Sequence, residues 1–431
     1  MNKRILALAI PNIISNITIP LLGMVDLAIV GHLDSQVYIG AIAVGSMIFN
    51  LIYWSFGFLR MGASGLTAQA YGARDFGEVM SVLIRGLLVA FFAAAAIIIL
   101  QIPIQKLAFY LLDGSIEVEQ FASSYFYIRI WAAPATIGIY AIAGWFIGMQ
   151  NTKIPMVVAI LSNVVNMGLN MFFVFVMKMN SDGVAWGTVI AQYTGFAASL
   201  FFVYRYYKKL FKYADKKLIF NLVSVKKFFS VNRDIFIRTL SLLVVFTFFT
   251  SKSASINDDI LAANSILLQF LFIFSFLTDG FAYAAEALTG KFYGAKQYQK
   301  LQQTIKLIFI WGGVISLVFT VLYYFGNRQL MLLLTNQQQV LSVAAEYTFW
   351  IVLIPVMSVS SFIWDGVFIG ITAAKQMRNS MLISTFAVFF PVWYFFNDKL
   401  HNHALWLAFI LFMFSRGLIQ TVMYKFIIRK N

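Results

Sequence analysis

The chain has 431 residues, of which 61% are hydrophobic and only 11% are charged. Because soluble domains carry about 25% charged residues, this composition excludes an ordinary soluble protein and indicates a polytopic helical membrane protein. The absence of cysteine excludes disulfides and thiolate metal sites, and we assign the net charge of +15 to cytoplasmic loops, with no nucleic-acid partner expected.

Twelve stretches of the chain meet the requirement of a transmembrane helix, which is about 20 mostly apolar residues. We predict spans at 5–31, 39–70, 81–101, 121–150, 154–177, 183–204, 234–256, 259–290, 303–325, 341–371, 377–397 and 403–428. Basic residues concentrate in the loops that this count places on the same side as both termini. By the positive-inside rule that side is the cytoplasm.

The first span carries a single carboxylate, Asp26, in its otherwise apolar second half. An ionised acid in hydrocarbon is costly, so it usually faces a cavity or a partner and handles ions or protons. The alternative is a snorkelling or paired acid near the helix end. Pro11 and Pro20 each remove a backbone hydrogen bond, so we expect them to act as hinges at which this helix bends.

The second span contains Gly62-Ala63-Ser64-Gly65, which looks like the GxSG of intramembrane serine proteases. A serine nucleophile needs a base, but His32, His401 and His403 all fall at predicted outer helix ends. Small residues that allow close helix packing explain the motif better. No HExxH, Walker A or paired zinc motif is present. We therefore expect no enzyme, no metal centre and no cofactor.

The fifth and sixth spans carry a set of polar side chains. Asn166 and Asn170 are one turn apart and share a face of the fifth span, and Thr188 lies on the sixth. Amide and hydroxyl oxygens beside a carboxylate can hydrate a proton site or coordinate a hard cation. The alternative is plain helix–helix hydrogen bonding, and the presence of Asp26 favours the ion site.

Residues 205–233 form the only long basic connection between spans. This stretch divides the chain into a predicted N-terminal lobe, 1–204, and a predicted C-terminal lobe, 234–431. We interpret it as an inter-lobe linker with charges that set the topology. A contact with anionic lipid is the alternative.

The two halves repeat at a constant offset of 222 residues. The stretch 66–74 matches 288–296, and Phe146-Ile147-Gly148 matches Phe368-Ile369-Gly370. Six helices in each half give a parallel repeat, so we predict two six-helix lobes related by a pseudo-two-fold axis along the membrane normal. In proteins built this way the substrate site forms between the halves, which indicates a solute transporter.

Among the charged residues inside spans of the second half, we single out Asp279, Glu286, Asp365 and Arg416. Asp279 and Glu286 are seven residues apart and share one face of the eighth span. Arg416 lies near the middle of the twelfth span and needs a partner. We expect either an ion pair with one of these acids or a polar role for them in transport.

Over nearly its full length the chain resembles the multidrug and toxic compound extrusion (MATE) family, in its DinF branch. The resemblance rests on seven segments, at 20–34, 58–62, 65–74, 279–286, 365–372, 377–381 and 402–408. It implies a V-shaped pair of six-helix lobes that alternate between inward- and outward-open states. Such proteins export organic compounds against an inflow of protons or sodium.

The resemblance also assigns roles to individual residues. The acid on the first helix of the family corresponds to Asp26, and the polar partners on its fifth and sixth helices correspond to Asn166 and Thr188. Many members have an aspartate where this chain has Asn170. The missing charge puts a sodium site of two carboxylates in doubt and favours protons as the coupling ion.

From these observations we expect an antiporter that exports amphipathic or cationic small molecules in exchange for protons. We expect it to be a monomer in the bilayer of a bacterial cytoplasmic membrane, with both termini in the cytoplasm. Two alternatives remain: a sodium-coupled exporter of the same fold, and a flippase for lipid-linked precursors, which a wide basic central cavity would favour.

Overall fold

The computed structural model describes residues 1–31, 35–112 and 115–429, without the side chains of residues 19–28, 30, 36, 111, 112, 428 and 429. Every regular element in these ranges is helical, as the composition predicts. Within the described residues, eleven helical segments are long and apolar enough to cross a bilayer, and they fall on predicted spans two to twelve. The first predicted span falls on α1 (Asn2–Val30).

Several predicted spans in the first half consist of two shorter helices. A break at Phe56 separates α2 from α3, and the 3₁₀ turn Ile130–Ala132 separates α6 from α7. A π-helical segment, Phe172–Val176, follows α8. The helices of this half after α1 are α2 (Gln36–Ser55), α3 (Gly57–Gly72), α4 (Phe76–Ile99), α5 (Gln101–Leu112), α6 (Ile116–Arg129), α7 (Ala133–Gly148), α8 (Lys153–Met171) and α9 (Asn180–Tyr207).

A short helix, α10 (Lys216–Ile219), lies within the predicted linker, and the next helix begins at Leu222, so the linker is also helical from 222 to its end at 233. A second π-helical segment, Ser384–Phe389, joins α16 to α17. The helices of the second half are α11 (Leu222–Ile256), α12 (Asp258–Gly294), α13 (Tyr298–Leu334), α14 (Gln338–Glu346), α15 (Thr348–Gly370), α16 (Ala374–Ile383), α17 (Phe390–Leu400) and α18 (Asn402–Arg429).

The chain divides into two compact units. The N-terminal unit is Ile14–Phe229, and the C-terminal unit is Met1–Ile13 together with Ser230–Asn431. The first turns of α1 thus pack with the second half, whereas the sequence analysis assigned them to the first lobe. Gly280 of α12 permits this contact, because a Cβ there would lie 2.3 Å from Ile13 Cγ1 and 2.9 Å from the Ala9 carbonyl oxygen.

Equivalent glycines make equivalent backbone contacts in the two units. A Cβ at Gly144 would lie 2.2 Å from the Arg60 carbonyl oxygen, and a Cβ at Gly366 would lie 2.3 Å from the Ala282 carbonyl oxygen. Both members of one pair are 222 residues after those of the other. Only glycine lets α7 approach α3, and α15 approach α12, this closely.

Residues with left-handed backbone conformations also recur at the offset of 222 residues. Arg74 and Lys296 end equivalent helices with φ angles of 61° and 56°, and Gln150 and Thr372 do the same with φ angles of 64° and 53°. Left-handed conformations are uncommon for residues other than glycine, so their recurrence at one spacing reflects a shared local fold. The predicted internal repeat is therefore confirmed at the level of individual backbone positions.

Each unit has a fully buried tryptophan whose indole N–H is satisfied. Trp145 donates to the Val79 carbonyl oxygen at 2.9 Å, and Trp406 donates to Asn264 Oδ1 at 2.8 Å. Burying a polar group without a partner is costly. These bonds let a large aromatic side chain fill the interior of each unit.

Candidate functional site

The predicted polar residues of the fifth and sixth spans form one hydrogen-bonded chain inside the N-terminal unit. Asn170 Nδ2 donates to Asn166 Oδ1 at 3.1 Å, and Asn166 Nδ2 donates to Thr188 Oγ1 at 3.0 Å. Thr188 in turn donates to the Val184 carbonyl oxygen at 2.9 Å. The structure thus brings three of the predicted site residues together, and both asparagines are buried.

Local packing of α8 against α9 positions this chain. A Cβ at Gly187 would lie 2.1 Å from Asn170 Oδ1, so only glycine on α9 leaves room for the amide. The π-helical segment begins at Phe172, two residues after Asn170. Single-turn π segments inside α-helices often occur at functional sites, and nothing in the sequence indicated this one.

The hydrogen bonds of this polar chain all point in one direction. Each amide hydrogen bond points from Asn170 through Asn166 towards Thr188, so the oxygens of Asn166 and Thr188 already accept hydrogen bonds within the chain. This arrangement orders neutral polar groups in an apolar interior, where hydrogen bonds are electrostatically stronger than in water. Such groups can stabilise a nearby charge, or they can form new hydrogen bonds with a nearby group when it gains or loses a proton.

Asp26 and Pro20 belong to the backbone of α1, and their side chains lie outside the described residues. The helix is continuous through Pro11 and Pro20, so a hinge at either residue stays a prediction. Asn163 Nδ2 lies 3.5 Å from the Thr18 carbonyl oxygen, which holds α8 beside the middle of α1.

A buried ion network occupies the C-terminal unit around Asp365 of α15. The guanidinium of Arg416 on α18 donates to Asp365 Oδ2 at 2.7 Å, and Arg238 of α11 pairs with the same oxygen. Gln420 Nε2 donates to Asp365 Oδ1 at 2.7 Å. The predicted ion pair of Arg416 is present, and its partner is Asp365.

Two guanidinium groups and one amide therefore surround a single carboxylate. Buried charges in proteins are usually paired. The Asp365 carboxylate thus joins α11, α15 and α18. The other predicted acids, Asp279 and Glu286, lie two turns apart on α12, and Glu286 is 1% exposed.

Sequence reasoning missed Arg238 and Gln420. Arg238 lies five residues inside the predicted span that begins at residue 234, where a cation can be assigned to the membrane interface. Gln420 is one turn after Arg416 and shares its face of α18. Two rules could have found both residues. A buried cation needs a carboxylate partner, and a buried carboxylate needs more than one hydrogen-bond donor.

Within the described residues, the Ser64 hydroxyl of the serine protease pattern has no hydrogen-bond partner, so no base is in place to activate it. Ser64 is fully buried, and the two described histidines, His401 and His403, belong to the C-terminal unit. His403 Nδ1 accepts a hydrogen bond from Trp350 Nε1 at 3.0 Å. Within the described residues, no group of three or more His, Cys, Asp or Glu side chains could hold a metal ion.

Comparison with known proteins agrees with the duplicated architecture. The MatE family model matches the chain twice, over residues 11–172 and over residues 235–395. DNA damage-inducible protein F of Escherichia coli (strain K12) is 36% identical to this chain, over 98% of this chain and 92% of that protein.

A more distant relative and a solved structure also match most of this chain. Protein DETOXIFICATION 44, chloroplastic, of Arabidopsis thaliana is 25% identical over 90% of this chain and 75% of that protein. A crystal structure of MATE in the bent conformation superposes with a TM-score of 0.87 at 19% identity, over 100% of this chain and 96% of that one. The chain therefore belongs to the MATE family of multi-pass membrane transporters and is not an enzyme.

Proposed function

We propose that this transporter exports amphipathic or cationic organic molecules in exchange for protons, and that Asp26 carries the exchanged proton. The transporter works as a monomer in a bacterial cytoplasmic membrane by alternating access, with both termini in the cytoplasm. The observation that carries the proposal is the buried chain of Asn170, Asn166 and Thr188, considered together with the position of Asp26 along α1.

The contact between Asn163 and Thr18 relates the depths of α8 and α1. Asp26 follows Thr18 by eight residues, and Asn170 follows Asn163 by seven. The first and fifth spans cross the bilayer in the same direction, and each residue of a helix rises about 1.5 Å. The backbone of Asp26 is then level with that of Asn170 to within about one residue, which supports a shared site.

The hydrogen bonds within the chain favour protons over sodium. A bound sodium ion would need oxygens as ligands, yet Asn166 Oδ1 and Thr188 Oγ1 already accept hydrogen bonds. Each of these oxygens keeps one further lone pair, so a cation would share them with the hydrogen bonds, and the neutral Asn170 supplies no charge to attract it. A proton needs only one carboxylate, whose neutral form can share hydrogen bonds with amides.

The ion network of the C-terminal unit supports the choice of Asp26 over Asp365 as the residue that carries the proton. Asp365 is held between Arg238 and Arg416, so binding a proton there would disrupt two buried ion pairs. Asp26 has no such fixed role in the proposal. Its protonation removes a charge whose desolvation and contacts differ between two conformations of α1, and only such a difference can shift their balance.

The test is transport by purified protein in liposomes under imposed gradients. We expect uptake of a fluorescent organic cation when a proton gradient is imposed, and none under a sodium gradient alone. Asp26→Asn should abolish proton-driven transport while the protein stays folded. Transport driven by sodium but not by protons would refute the choice of ion, and full proton-driven transport by Asp26→Asn would refute the role of Asp26.

A further inference from the structure

The linker segment 205–229 is packed on the N-terminal unit and is not a loose connection. Arg85 of α4 is 5% exposed and donates from Nε to the Ile219 carbonyl oxygen at 2.7 Å and from Nη2 to the Leu218 carbonyl oxygen. These carbonyls end α10, so Arg85 satisfies acceptors that a helix terminus leaves unpaired. Glu78 pairs with the same guanidinium at 2.7 Å.

Two further contacts hold the segment against the start of α4. The Phe76 and Tyr213 rings lie 5.6 Å apart between centroids. A Cβ at Gly77 would lie 2.7 Å from Leu218 Cδ1, so glycine lets the linker approach this closely. The inner side of the segment is thereby attached to α4, and its other side chains form a fixed outer surface.

This outer surface is strongly basic. The segment has eight basic residues and one acid, Asp215, and the Asp215 side chain caps α10 by accepting from the Lys217 backbone N–H at 2.9 Å. All eight basic side chains are exposed: Arg205, Lys208, Lys209, Lys212, Lys216, Lys217, Lys226 and Lys227.

Large apolar side chains lie exposed among these cations. Tyr206, Phe220 and Leu222 are 62%, 68% and 79% exposed. The Arg205 guanidinium lies 5.8 Å from the Tyr206 ring centroid, so cation and ring share one surface. Side chains that combine an apolar body with a polar end are typical of the boundary between lipid and water.

We propose that the outer surface of segment 205–229 binds the headgroups of anionic phospholipids, with its exposed aromatic and aliphatic side chains inserted at the level of the lipid glycerol. Basic clusters next to a membrane span attract acidic headgroups. The apolar side chains select a lipid over a soluble anion, because a soluble anion would leave them in water. The structure thus favours the lipid contact over the purely topological role that the sequence analysis preferred.

The test uses the absence of cysteine from the chain. Leu222→Cys provides one labelling site for a fluorophore whose emission shifts to the blue in an apolar environment. The labelled full-length protein is reconstituted in vesicles of phosphatidylcholine, with or without phosphatidylglycerol in both leaflets. Because both leaflets are identical, the result does not depend on the direction of insertion, on the substrate or on the coupling ion.

We expect a blue shift when phosphatidylglycerol is present and its loss at high salt, which screens exposed charges. Changing five lysines to glutamine should abolish the shift (Lys208, Lys209, Lys212, Lys216 and Lys217). A control variant changes Lys106, Lys178 and Lys399, outside the segment, to glutamine and should keep the shift. Equal emission with both lipids, a shift that survives the five substitutions, or the same shift produced by soluble glycerol phosphate would overturn the proposal.

Discussion

Arg416 donates to Asp365 at 2.7 Å inside the C-terminal unit, and both side chains are withdrawn from solvent. A single ion pair would balance these charges, but Arg238 binds the same carboxylate oxygen. The carboxylate is therefore the member on which the others depend. Loss of the carboxylate should therefore destabilise the protein more than loss of either arginine.

Asp365→Asn should cost about 3–5 kcal/mol in the free energy of unfolding, because it leaves two buried cations without their carboxylate. Arg416→Met should cost less, since Arg238 still pairs with Asp365. Asp398→Asn, at an exposed position, should stay within about 0.5 kcal/mol. Unfolding of the purified protein in detergent measures all three, and equal effects of Asp365→Asn and Asp398→Asn would contradict the network.

The repeated glycine contacts predict matched effects in the two units. Gly144→Ala and Gly366→Ala should each lower the free energy of unfolding by about 1–3 kcal/mol, because the new methyl group meets a backbone carbonyl. Gly313→Ala is the control: nothing lies within 4 Å of a Cβ there, and alanine should stabilise the helix by about 0.4–1 kcal/mol. A loss of stability in only one unit would show that the repeats are not packed alike.

Asn170→Asp should introduce sodium-driven transport. A second carboxylate beside the proposed Asp26 site supplies the negative charge that a bound cation requires. Asn163→Asp, which places the same change two turns earlier on α8 at a partly exposed position, should not have this effect. Liposome uptake under an imposed sodium gradient compares the two variants. If both behave like the wild type, Asn170 does not determine the coupling ion.

A cysteine introduced at Lys216 should resist a membrane-impermeant thiol reagent in intact cells and react after the cells are opened. The reason is the distribution of basic residues, which puts the linker and both termini in the cytoplasm. Lys178→Cys, in a predicted outer loop, is the control and should react in intact cells. Rapid labelling of the Lys216 variant in intact cells would reverse the topology.

Hydropathy and repetition predict most of the fold because they are properties of the chain itself. The length of apolar stretches predicts the spans, and the matching motifs around Gly148 and Gly370 predict the repeat. The breaks inside spans escape such reasoning. At the turn Ile130–Ala132, the Tyr193 hydroxyl of α9 donates to the Trp131 carbonyl oxygen at 3.0 Å, a tertiary contact that the hydropathy of the span does not reveal.

The candidate site shows the same limit. The spacing of Asn166 and Asn170 predicts their common face, and the structure adds the hydrogen bond between them. The need of Arg416 for a partner is evident from its place in an apolar span. Which of Asp279, Glu286 and Asp365 is that partner is not evident from the sequence, because it depends on how α15 and α18 pack.

The contact between Gly280 and the carbonyl of Ala9 joins residues that the ribosome makes far apart in time. About 270 residues separate them, and at 5–20 residues per second their synthesis takes roughly 14–54 s. During that interval the first turns of α1 have left the ribosome, while the helix against which they pack does not yet exist. The contact between α1 and α12 therefore forms only after about 270 further residues have been made.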